Sequence, residues 1–245
     1  MSSFRNSLFA AAAVLVSGAA HGATISYGGT GLTPNGSIAV ANTLTNFSSS
    51  VTIPKFDTSL GTLTGIQFVL GGTVTTQVRF ENRSRSSVSI VSASSQASET
   101  LTRPDSTTLV VNIPVQIVTV NEGVYDGLLD FGGTSGTSLT GVNALTGSLT
   151  TMSAVLSGAA DLALFSAAGG GTIVLPVSAV GQSAVSGSSG NTVSNVVTAA
   201  SAQALVQYTY DLPPPPPPIG VPEPATMALL GAGLFGLGFA RRRAR

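Results

Sequence analysis

The chain has 245 residues, room for one large or two small domains, and only 8% of them are charged, against roughly 25% in an average globular chain. There is no cysteine, which excludes disulfides and thiolate metal sites. The formal net charge of zero hides an uneven distribution: residues 23 to 211 hold nine acidic side chains against Lys55, Arg79, Arg83, Arg85 and Arg103, a balance that argues against a nucleic-acid partner.

Gly, Ser, Thr, Ala and Val dominate the composition, which suits sheets with many tight turns better than helices. At the N-terminus, Arg5 precedes an apolar, Ala-rich run from Ser7 to Ala20. That run is too short to span a membrane and has the length of a signal-peptide core. Ala20 and Gly22 supply the two small residues a signal peptidase requires, so residues 1–22 read as a signal helix cleaved after Gly22, with cleavage after Ala23 as the alternative.

From Ala23 to Leu212 short apolar or alternating runs are punctuated by Gly, Asn, Asp and Ser clusters. Strands are expected at Thr24 to Tyr27, Ile38 to Thr45, Ser50 to Ile53, Gly65 to Leu70, Val74 to Phe80, Val88 to Ser92 and Thr108 to Val120. Further strands are expected at Leu128 to Phe131, Ser148 to Leu156, Gly171 to Val180 and Ala202 to Tyr210. Together they predict an all-β domain over residues 23–211, a single antiparallel sandwich or Greek-key-like fold. Pro54, Pro114 and Pro176 lack the amide proton of a central ladder and mark edges or bulges. Ala159 to Phe165 is the one place for a short helix, with Asp161 near its start.

Little chemistry is on offer. His21 is the only histidine and lies in the expected signal segment, so the remaining domain has no His, Cys or Trp. Histidine-based triads, cysteine nucleophiles and the usual zinc sets are excluded there. Glu122, Asp126 and Asp130 sit in the Gly-rich acidic stretch 121–130. Such Asp, Asn and Gly residues are what tight turns want; a calcium site or a pair of hydrolytic carboxylates are the alternative uses. The sequons at Asn35, Asn46 and Asn82 follow from the abundance of Ser. Arg79, Arg83, Arg85 and Arg103 form the one basic group, either guarding a strand edge or contacting an anionic polysaccharide.

Six prolines, Pro213 to Pro218, then impose a polyproline II spacer about 19 Å long within residues 212–221. Pro222-Glu223-Pro224 follows, then an apolar run from Ala225 to Ala240, then Arg241, Arg242, Arg243 and Arg245. As a helix, 225–240 would measure about 24 Å, and flanking arginines can snorkel to reach the interface. The Arg cluster acts as a cytoplasmic membrane stop and leaves the preceding domain outside. The GxGxxG run Gly231 to Gly236 has no preceding strand, which excludes a dinucleotide site. Ala228, Ala232, Gly236 and Ala240 recur every fourth residue as one smooth face for a second transmembrane helix.

The tripeptide Pro222-Glu223-Pro224, the Gly-rich apolar helix and the Arg cluster resemble the PEP-CTERM sorting signal over residues 222–245. That resemblance implies an exosortase that recognises the tripeptide and removes the helix, and a Gram-negative host exporting extracellular polysaccharide. Four stretches, 50–57, 60–65, 130–136 and 205–210, resemble the choice-of-anchor E type of bacterial surface domain, which implies surface display and no particular activity. The expectation is therefore a non-enzymatic surface or matrix protein without cofactor, processed by signal peptidase and exosortase, passing through the inner membrane and then in contact with exopolysaccharide at the cell surface or outside. A carbohydrate-binding or adhesive module and a paired-acid hydrolase are the alternatives.

Overall fold

The computed structural model describes residues 22–28, 39–213 and 226–243. The expected signal segment before Gly22, the spacer from Pro214, the tripeptide Pro222-Glu223-Pro224 and Arg245 lie outside the described residues. The chain divides into two compact units, the first ending at Leu212 and the second beginning at Pro213.

The first unit contains β1 (Ala23–Gly28), β2 (Ala39–Leu44), β3 (Phe47–Pro54), β4 (Phe56–Asp57), β5 (Thr62–Asn82), β6 (Ser89–Thr102), β7 (Thr108–Asn112) and β8 (Val115–Glu122). It continues with β9 (Gly136–Leu139), β10 (Leu145–Met152), the short helix α1 (Ala159–Leu164), β11 (Ser166–Ala167), β12 (Thr172–Gly187) and β13 (Thr192–Asp211). One sheet pairs β13 with β5 at its centre; β1 and β2 line the free side of β13, and β10 and β9 line the free side of β5. The other sheet runs β3, β12, β6, with β7 and β8 in tandem along the far side of β6. All these pairings are antiparallel; β4 and β11 form a separate two-residue parallel pair.

Side chains alternate across a strand, and from Ala200 to Tyr210 every second residue of β13 is buried. The same alternation runs through β5 and β6. One apolar cluster draws Ile66, Phe68, Val206 and Tyr208 from the first sheet and Val51, Leu101, Leu175 and Val177 from the second. The two sheets therefore share a core, as the layers of a sandwich do. Tyr208 anchors it: the ring is buried against Phe56 at 5.9 Å between centroids, and its hydroxyl donates to the Pro54 carbonyl at 2.8 Å. The buried hydroxyl thus has the partner it needs.

Several expected elements are altered. Gly65 to Leu70 and Val74 to Phe80 are one strand, because β5 is held on both sides and its ladder runs straight through Gly71 and Gly72. No strand forms at Leu128 to Phe131: Phe131 takes a positive φ of 58° beside Gly127 and Gly133, a turn geometry that no ladder accommodates. The run from Thr108 to Val120 breaks at Pro114 into β7 and β8, whose ladder is with β6 alone, and the Pro114 carbonyl accepts from the Ala97 amide at 3.2 Å. Pro54 ends the edge strand β3. Pro176 sits inside β12, opposite Ser50 of β3, one residue before the ladder with β6 starts at Val177. Its missing amide proton therefore costs the sheet nothing.

In the second unit, α2 spans Thr226–Arg243. Among the described residues no helix is long and apolar enough to cross a membrane; α2 reaches 18 residues only by including Arg241, Arg242 and Arg243. The helix expected at 225–240 forms, but it carries its charged end with it.

Candidate functional site

The acidic stretch after β8 is folded by its own backbone. The Asp126 carboxylate accepts from the Leu128 amide at 3.0 Å, and that of Asp130 from the Gly132 amide at 2.9 Å. These are local turns in which an Asp carboxylate accepts from the amide two residues on. The Leu128 hydrogen bond is the main reason the Asp126 carboxyl is held below the usual carboxylate range. Gly133, with φ of 66°, passes so close to Asp126 that an added Cβ would lie 2.3 Å from its Oδ2. Glu122 is buried at the end of β8, whereas Asp126 and Asp130 are exposed. The structure does not bring Glu122, Asp126 and Asp130 together as ligands, and no cluster of His, Cys, Asp or Glu able to hold a metal occurs among the described residues.

Two buried carboxylates not among the expected candidates organise the fold instead. Glu81, at the end of β5, accepts from the Phe131 amide at 2.8 Å and from the Ser135 hydroxyl, and so ties the acidic loop to the sandwich. Its neighbour Asn82, also buried, donates to the carbonyls of Ser87 and Gly123 and accepts from Ser84 and Ser189. Burial pushes the Glu122 carboxyl up; a Thr137 hydrogen bond opposes this, and the nearby charge of Glu81 adds to it. Glu99 lies inside the sandwich on β6, where a Cβ on Gly72 of β5 would overlap its carboxylate. Asn112 donates to one Glu99 oxygen at 3.0 Å and to the Leu149 carbonyl at 3.0 Å, and accepts from Thr151 at 2.8 Å. The other Glu99 oxygen has no hydrogen-bond partner, and burial pushes this carboxyl up to about 7. A signal for it existed: Val91, Ala93, Ala97, Glu99 and Leu101 share one parity, so the alternation alone points Glu99 inward.

The basic group is dispersed. Arg103 follows the end of β6 and pairs with Asp161 of α1, whereas Arg79, Arg83 and Arg85 flank the opposite end of that strand. An open groove of about 370 Å³ crosses β2, β13, β5 and β10 and is lined by Val40, Gly71, Thr150, Ser201 and Gln203 among others. Neither a charged nor an aromatic side chain lines it.

The ends of the domain carry the remaining candidates. Gly22 immediately precedes β1, and Ala23, 4% exposed, is the first residue of that strand and pairs with Tyr210 near the end of β13. Both ends of the β unit thus leave from the same end of one sheet. Beyond lie α2, with Ala228, Ala232, Gly236 and Ala240 at one-turn intervals, and Arg241 to Arg243 closing the helix.

These features define a β-rich domain with its own core, followed by a separate apolar, Arg-terminated helix. Residues 220–243 match the PEP-CTERM protein-sorting motif. Among curated proteins, none matches the chain. Of solved structures, the infectious bursal disease virus Gx strain is 13% identical over 87% of this chain and 47% of that one, with a TM-score of 0.14. The VP2 subviral particle of infectious bursal disease virus is 11% identical over 87% and 48%, with a TM-score of 0.18. The chain spans about half the length of these viral chains, and a likeness at such scores carries no argument.

Proposed function

We propose that this is a non-enzymatic, exported surface or matrix protein, delivered across the inner membrane, held there transiently by α2, and processed by an exosortase at Pro222-Glu223-Pro224. The observation that carries this reading is the sorting motif at 220–243, placed directly after a β unit whose core is complete by Tyr210. The apolar part of α2 ahead of Arg241 is about 22 Å long, short of a roughly 30 Å hydrocarbon layer. Local thinning of the bilayer and snorkelling of the arginines close that gap.

Signal cleavage falls after Gly22 in this reading. Cutting after Ala23 would remove a buried residue of β1 and its pairing with Tyr210, whereas cutting after Gly22 leaves the strand whole. Display at the surface among exopolysaccharide follows from the sorting route and from the resemblance to choice-of-anchor E domains.

Intact mass spectrometry of the protein recovered from a host with its exosortase tests this. The expected chain begins at Ala23 and ends near Pro224, and Glu223→Ala leaves the Arg tail in place. Wild-type protein that retains its Arg tail in that host would overturn the sorting reading.

A further inference from the structure

We propose that the outer face of the sheet formed by β3, β12, β6, β7 and β8 is a self-association surface, and that its partner is a second copy of this chain. The five strands contain two charged residues, Glu99 and Glu122, and both are buried on the inward side or at its end. Every outward position is therefore neutral, on a molecule whose other outer sheet face carries Arg79 and Asp211. Soluble surfaces ordinarily hold charge at about a quarter or more of their positions, and strand edges hold it deliberately to prevent pairing.

The face also carries exposed aliphatic side chains among its Ser, Thr and Gln residues. Val111, Ile113, Val115 and Ile117 run along the β7–β8 edge, with Ile117 65% exposed, and Val174 and Val180 stand out from β12, each 53% exposed. These two rows of exposed aliphatic side chains lie on either side of the uncharged outward residues of β6, Ser94, Gln96 and Ser98, and exposed apolar side chains grouped on one face mark association. Two of the polar pairs on this face are already satisfied across strands, so covering them forfeits little: Gln96 donates to Gln182 at 2.7 Å, and the Ser92 and Thr119 hydroxyls meet at 2.8 Å.

The chemistry selects the occupant. A nucleic acid or an anionic polysaccharide needs cations that the face lacks, and no aromatic ring is present at its outward positions for a sugar to stack on. A neutral aliphatic face presented to its own copy meets no like charge and covers apolar surface on both partners. Four strands about 4.8 Å apart and about ten residues long give a projected area of roughly 650 Å², close to the roughly 800 Å² per partner of a standard interface.

The proposal is independent of how the tail is processed. It is tested with the chain from Gly22 to Leu212, which holds the whole sandwich core and lacks α2, by sedimentation equilibrium over a wide range of concentration. The wild-type chain is expected to associate reversibly. Ile117→Glu and Val180→Glu, both at exposed positions and each checked for an unchanged circular-dichroism melt, are each expected to weaken association at least about tenfold. Leu44→Glu, equally exposed but on β2 of the other sheet, is expected to associate like the wild type. A wild-type chain that stays monomeric throughout, or folded Ile117 and Val180 variants that associate as tightly as it does, would overturn the proposal.

Discussion

Glu99 is expected to make the stability of this domain fall as pH rises. Its carboxyl titrates at an ordinary value of 4.5 in the unfolded chain and is pushed up to about 7 by burial in the sandwich. Between those values the folded state holds a proton that the unfolded state has released, so protonation favours folding. The stabilising contribution is complete below about pH 4.5 and is lost as pH rises through about 7. A rise of that size sets a ceiling of about 3 kcal/mol. That value already includes the opposing hydrogen bond from Asn112, and between about pH 5 and about pH 8, short of the full titration range, a loss of about 2 kcal/mol is expected. With a urea dependence of about 2 kcal/mol per molar, the unfolding midpoint of the chain from Gly22 to Leu212 should drop by about 1 M between about pH 5 and about pH 8. Glu99→Gln keeps the shape and removes the charge, so its midpoint should fall much less, the remainder coming from Glu122, whose carboxyl is raised in the same direction. A wild-type midpoint that holds or rises over this range, or a Glu99→Gln chain that falls as far as the wild type, would refute the reasoning.

Three further outcomes are expected. Gly72→Ala places a methyl carbon 1.5 Å from Glu99 Oε2, so urea titration should show a loss of about 1–3 kcal/mol, largely recovered when Glu99→Ala is added. Tyr208→Phe leaves the ring in place but orphans the Pro54 carbonyl, at a cost of about 1 kcal/mol by the same measurement. Millimolar Ca²⁺ should leave the melting temperature unchanged, because Asp126 and Asp130 are engaged by their own turns; a rise of several degrees would show that the loop rearranges into a site.

The C-terminal sorting motif and the β class were readable because their signals are local. An apolar run followed by Arg241 to Arg243, a fixed tripeptide, and alternation such as that from Ala202 to Tyr210 are properties of neighbours along the chain. Glycine and proline were read less well, since their meaning depends on what flanks the strand. Gly71 and Gly72 look like a break, yet β10 and β13 hold β5 straight through them and the missing side chain of Gly72 leaves space for Glu99. Pro176 looks like an edge residue of the whole strand, yet only the start of the β12–β6 ladder at Val177 shows why it is tolerated within β12.

Acidic residues show the division most clearly. By sequence, Asp126 and Asp130 were the noticeable ones because they crowd a Gly-rich stretch, and they do form local turns. Glu81 and Glu99 are single acids within strands, and their roles come from partners brought together by the fold: Phe131 and Ser135 for one, Asn112 and Gly72 for the other. The chain's own order thus determined class, the C-terminal sorting motif and most strand positions, through patterns that fall between near neighbours. Which groups meet the buried carboxylates, where the ladders run through and which sheet face is left without charge were decided by pairing between residues far apart in sequence, where local pattern has no reach.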